Sequence, residues 1–117
     1  MKTHVRAAVA AIALSHATHS KVSSVYAFSA GGYANIEANV AGSRVDAYDY
    51  DNRCHIDGSL PGLYHYGERR HIDLNPKAGG KYDGYDYGSG SHFEVTVNGR
   101  NADLYDYGAG GWFQFSI

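Results

Sequence analysis

Apolar and polar side chains alternate strictly along "HFEVTV" (residues 92–97). Phe93, Val95 and Val97 fall on one side, and His92, Glu94 and Thr96 on the other. That period of two is the signature of a half-buried β-strand. The next stretch, "NADLYDY" (residues 101–107), alternates too. Asp103, Tyr105 and Tyr107 share one face and Ala102, Leu104 and Asp106 share the other, and the pattern leaves open which face is inward. Between the two runs stands Asn98-Gly99-Arg100, whose Asn-Gly is a strong hairpin signal.

The same pattern recurs upstream. A shift of 57 positions (92 − 35) lays residues 35–50 on residues 92–107 without a gap, matching Glu37 with Glu94, Gly42 with Gly99 and Tyr48-Asp49-Tyr50 with Tyr105-Asp106-Tyr107. A shorter unit lies inside it. "YDYDNRCHID" from Tyr48, "YHYGERRHID" from Tyr64, "YDYGSGSHFE" from Tyr85 and "YDYGAGGWFQ" from Tyr105 align column by column, and "YAFSAGGY" from Tyr26 reads as a degenerate fifth copy. Each unit reads as strand, tight polar or Gly-rich turn, strand. Residues 22–117 are therefore expected to form a single all-β domain, an antiparallel meander of repeated Tyr-x-Tyr hairpins. About nine strands would leave bare edges as a flat sheet, so closure into a small barrel or folding into a sandwich is expected.

Residues 1–21, "MKTHVRAAVAAIALSHATHSK", differ in character. Lys2 and Arg6 precede the apolar run Ala7 to Leu14, and small residues follow, as in a signal peptide. The other reading is an N-terminal helix, since Val5, Val9 and Ile12 recur at helical spacing in Ala-rich sequence. A signal implies an extracytoplasmic or secreted protein; a retained helix leaves a cytoplasmic one open. The run is too short to span a bilayer, and the single cysteine, Cys54, forms no internal disulfide that would report on compartment.

Composition sharpens the picture at one residue type. In 117 residues there are 11 Tyr against 4 Phe and 1 Trp, while the net charge of −2 offers no field for nucleic acid. Tyr48/Tyr50, Tyr64/Tyr66, Tyr85/Tyr87 and Tyr105/Tyr107 hold equivalent strand positions and predict a tyrosine stripe across the sheet. Two uses follow. The rings complete the core and keep their hydroxyls on water or backbone, which composition alone favours, or they form a platform for a glycan or a protein surface. The expected ligand-binding residues of such a platform are Tyr85, Tyr87, Tyr105, Tyr107 and Trp112.

Other chemistry is weaker. His55, His71 and His92 share one column of the unit, each with an acid two residues on (Asp57, Asp73, Glu94), and three imidazoles suit zinc. Strands that alternate with others in an open sheet set such histidines roughly 10 Å apart, so a solvated His-x-acid row is expected and no metal is assigned. Cys54 and His55 are adjacent on a strand and point to opposite faces. Asp46, Asp49, Asp51, Asn52 and Asp57 surround a turn, but Arg53 stands where an EF-hand needs a ligand. The repeated Asp49, Asp86 and Asp106 offer carboxylate pairs without the asymmetry that catalysis needs. The chain is thus expected to be non-enzymatic, without a cofactor, and to bind a glycan or protein surface. The alternative is a structural or self-assembling β-protein, a homo-oligomer without a small-molecule ligand.

Overall fold

The computed structural model describes residues 1–117. One helix, α1 (Thr3–Thr18), precedes eleven strands: β1 (Val25–Ala27), β2 (Gly32–Ala34), β3 (Ile36–Ala41), β4 (Arg44–Asp49), β5 (Cys54–Ser59), β6 (Gly62–His65), β7 (Arg70–Pro76), β8 (Lys81–Asp86), β9 (Ser91–Asn98), β10 (Asn101–Asp106) and β11 (Gly111–Ser116). Neighbouring strands from β3 to β11 pair antiparallel in chain order, and β1 joins β11, giving the order β2-β1-β11-β10-β9-β8-β7-β6-β5-β4-β3. The meander is as expected, with more strands than the sequence indicated.

The two ends of that order meet. Only Asn35 separates β2 from β3, so the two segments are one bent strand whose first half pairs with β1 and whose second half pairs with β4. Across the seam, Val22 N–H donates to the Ala38 carbonyl at 2.9 Å and Ala38 N–H donates to that of Val22 at 2.8 Å. The sheet is a nearly closed barrel rather than a sandwich, and closure leaves few unpaired edge groups.

Geometry explains what fills it. Counting β2 and β3 as one strand leaves ten (11 − 1). Ten strands at the usual spacing and tilt enclose a cylinder of about 10 Å radius, too wide for inward side chains alone to fill. Helix α1 occupies that space. A helix backbone with small side chains takes roughly half the radius and leaves room for a single layer of strand side chains, so the helix must be thin, and Ala7, Ala8, Ala10, Ala11 and Ala13 make it so. Residues 7 to 14 are buried all round, and helix and strands share one hydrophobic core with Ile36, Ile56, Leu63, Ile72, Leu74, Phe93 and Leu104. The segment read from sequence as a signal peptide or helical extension is, in the fold, the plug of the barrel. Its 16 residues give a length of about 24 Å, matching the 24 Å short dimension of the molecule.

The helix is fastened at its C-terminal end by polar contacts. Ser15 Oγ accepts from Val40 N–H at 3.1 Å and donates to the Ser20 carbonyl at 2.8 Å, and His16 Nδ1 lies 2.6 Å from the hydroxyl of Tyr82. Tyr82 faces the core, and burial pushes its phenol up to about 12.

The other tyrosines do not. In each Tyr-x-Tyr unit it is the central residue that points inward: Asp49, His65, Asp86 and Asp106 are all buried. Each ties down its own hairpin turn. Asp49 accepts from Asn52 N–H (3.0 Å), Asp86 from Gly88 N–H (3.0 Å), Asp106 from Gly108 N–H (2.9 Å), and His65 Nδ1 from Glu68 N–H (3.1 Å). The expectation that the tyrosine rings complete the core is thereby corrected, because the inward position is taken by a group that caps the turn. Asp49, one of the acids that surround the turn after β4, has only 1% of its surface exposed.

Candidate functional site

Tyrosines facing outward on successive hairpins give the barrel an aromatic belt. In each hairpin the first Tyr is half-buried edge-on between two more exposed rings, the second aromatic of its own strand and its cross-strand partner. The sets are Tyr26 with Phe28 and Tyr33, Tyr48 with Tyr50 and His55, Tyr64 with Tyr66 and His71, Tyr85 with Tyr87 and His92, and Tyr105 with Tyr107 and Trp112. Ring centroids lie between 4.7 and 5.1 Å apart, in T-shaped geometry throughout. Register produces this: Tyr48 pairs with His55, Tyr64 with His71, Tyr85 with His92 and Tyr105 with Trp112. The degenerate first copy obeys it too, with Tyr26 opposite Tyr33. Edge-to-face pairs add about 0.5–1.5 kcal/mol each beyond area burial.

The hairpins are linked by the acids that follow the histidines. The Tyr87 hydroxyl donates to Asp73 at 2.8 Å, and that of Tyr107 donates to Glu94. Tyr66 stands in the same relation to Asp57, whose charge, reinforced by a hydrogen bond, raises the Tyr66 phenol. Tyr87 and Tyr107 are raised first by their hydrogen bonds to Asp73 and Glu94. Thus the second tyrosine of each of the last three units, Tyr66, Tyr87 and Tyr107, reaches back to the acid of the unit before.

Between these links, on the outer face of β7 to β10, lies a groove of about 590 Å³. Its lining includes Asp73, Asn75, Asp83, Tyr85, His92, Glu94 and Tyr107. Asp83 on β8 sits directly opposite Glu94 on β9, and Asp73 on β7 opposite Tyr85 on β8. Lys77, from the turn between β7 and β8, reaches Asp83 with its ammonium at 2.6 Å. That hydrogen bond and the charges of Asp83 and Glu94 raise the Lys77 pKa.

Of the five residues expected to bind ligand, Tyr87, Tyr107 and Trp112 are open, at 51%, 54% and 63% exposure. Tyr85 and Tyr105 are half-buried beneath them. Of the five, the groove lining takes in Tyr85 and Tyr107, and Tyr87, Tyr105 and Trp112 lie outside it. Sequence reasoning placed no groove at Asp73, Asn75, Asp83 and Glu94, although the acid two residues after each histidine was its visible trace. His55, His71 and His92 stand on separate hairpins, each against its own tyrosine, and no group of three or more His, Cys, Asp or Glu side chains is placed to hold a metal ion. Cys54 is buried while His55 is exposed.

Under the belt, the barrel end that holds the helix N-terminus is polar. The N-terminal ammonium lies 3.1 Å and Arg6 3.3 Å from the buried Asp106 carboxylate. Burial alone would raise the Asp106 pKa, but the hydrogen bond from the ammonium and those from the Ala109 and Gly108 amides outweigh it and hold it below the ordinary value. Glu68 binds Lys2 at 2.8 Å and His4 at 2.9 Å. No helix is long and apolar enough to cross a membrane. No family model, curated protein or solved structure matches the chain.

Proposed function

We propose that the protein is a non-enzymatic binding module that takes a glycan on the outer face of the barrel, in the groove between Tyr85 and Tyr107. The observation that carries this reading is the pairing of the open Tyr107 ring and the half-buried Tyr85 with hydrogen-bond acceptors in one concave site. Sugars offer apolar C–H faces to rings and hydroxyl edges to carboxylates and amides. Asp73, Glu94 and Asn75 supply the acceptors beside Tyr85, Tyr107 and His92. The rings are already held by their T-shaped neighbours, so little side-chain freedom is lost on binding.

A glycan array followed by calorimetry on the hits tests the proposal. Binding that weakens at least tenfold in Tyr107→Ala, with folding unchanged, supports it. A panel without hits, or a hit indifferent to Tyr107, refutes it.

The encircling belt also favours a second reading, homo-association through exposed aromatic faces. Strand edges offer little for that, since near-closure leaves few of their groups unpaired. Sedimentation in dilute solution separates the readings, because a glycan-binding monomer stays monomeric where an assembling protein does not.

A further inference from the structure

We infer that the ligand of this groove is cationic, an oligosaccharide carrying free amino groups rather than a neutral or acidic one. The inference rests on the glycan reading above and adds the charge of the sugar.

Asp83 and Glu94 face each other across adjacent strands, an arrangement in which like charges cost stability. Asp73 stands beside them, so the groove holds three carboxylates. The cation already there belongs to the chain: Lys77, at 2.6 Å from Asp83 and within the field of Glu94. One ammonium against three carboxylates leaves the groove negative.

Lys77 shows that the position accepts an ammonium, and it is easily displaced. The pair is exposed, with Lys77 at 60% and Asp83 at 43%, and exposed ion pairs are weak and screened by salt. Asp73 and Glu94 each give one oxygen to a tyrosine hydroxyl, which orients the carboxylate and leaves its other oxygen for a ligand. Tyr85 and Tyr107 then present ring surface to a sugar whose ammonium enters between the acids, where π-faces also favour a cation. A uronic or sulfated sugar meets three like charges.

The test compares a glucosamine tetramer, an N-acetylglucosamine tetramer and a hyaluronan tetrasaccharide by calorimetry on the full chain, slightly below neutral pH and at low salt. The glucosamine oligomer is expected to bind on the order of tenfold more tightly than its acetylated counterpart, to weaken as salt is added, and to leave hyaluronan without measurable binding. Lys77→Ala is expected to tighten the amino oligomer and leave the acetylated one unchanged, whereas Glu94→Gln weakens the amino oligomer selectively. Equal affinity for the two tetramers, or preference for hyaluronan, overturns the inference while the glycan reading stands. Binding of none of the three in any buffer, together with an array without hits, removes both. The comparison on the unmodified chain decides the matter even where a variant fails to fold.

Discussion

His65 accepts the Glu68 backbone N–H through Nδ1 at 3.1 Å, in the place where three sister hairpins use an aspartate. An imidazole accepting at Nδ1 carries its proton on Nε2, and here Nε2 is buried without a partner. Burial first, and then the charge of His4, lower the His65 pKa, against smaller opposing effects from Glu68, Asp49 and Asp86.

The sign of the resulting pH dependence follows. The unfolded chain takes up a proton near 6.5, the folded chain only at lower pH, so stability is full above 6.5 and falls as pH drops below it. Protonation also removes the acceptor that holds the turn. In urea unfolding at a series of pH values, His65→Asp is expected to flatten this loss by up to one proton's worth of slope, while Glu68 N–H keeps an acceptor. An unchanged slope in the variant would assign the loss to another group, such as His16, whose pKa is lowered by burial and by His19.

The thin helix carries a second prediction. Ala10 has no exposed surface, and the single layer of side chains around it leaves no volume for a larger one. Ala10→Leu is expected to destabilise by about 3 kcal/mol, measured by chemical denaturation. Deleting residues 1–21 takes the plug out of the core, and the remaining strands are expected to lose cooperative thermal unfolding.

Turn backbone makes a third. Arg53 and Arg69 hold φ of 55°, the column in which Gly90 and Gly110 have φ of 68°. Side chains in the left-handed region cost about 1 kcal/mol, so Arg53→Gly is expected to leave stability unchanged or raise it by up to ~1 kcal/mol. Gly110→Ala is its converse: a Cβ there meets nothing, so a loss of about 1 kcal/mol would be conformational alone.

A fourth concerns the floor of the groove. A Cβ on Gly84 would overlap the Asp73 carbonyl oxygen and the Phe93 ring. Gly84→Ala is expected to destabilise by about 3 kcal/mol and to disturb the pairing of Asp73 with Tyr85, so any ligand affinity should fall with it.

The repeats made the meander legible, down to the weak first copy at Tyr26, because turn chemistry and period-two alternation are local properties. What alternation does not carry is its sign. In Tyr-Asp-Tyr the apolar-looking rings go outward because the buried aspartate satisfies amides of its own turn, a preference set by backbone geometry at the barrel end rather than by hydropathy. The helix was legible as a helix, but a short alanine run has the same composition whether it is a signal or a core plug. Its position depends on the radius that ten strands impose. The groove was the least visible feature, since Asp73, Asp83 and Glu94 converge only through the pairing of β7, β8 and β9.

The glycan claim is tested most directly by mapping amide chemical shifts of the labelled full chain during titration with the glucosamine tetramer. Saturable shifts are expected, confined to Asp73, Asp83, Tyr85, His92, Glu94, Tyr107 and their neighbours, with the opposite side of the barrel around Val45 and Ala47 unmoved. Shifts that are absent, non-saturable or spread evenly around the barrel would contradict it.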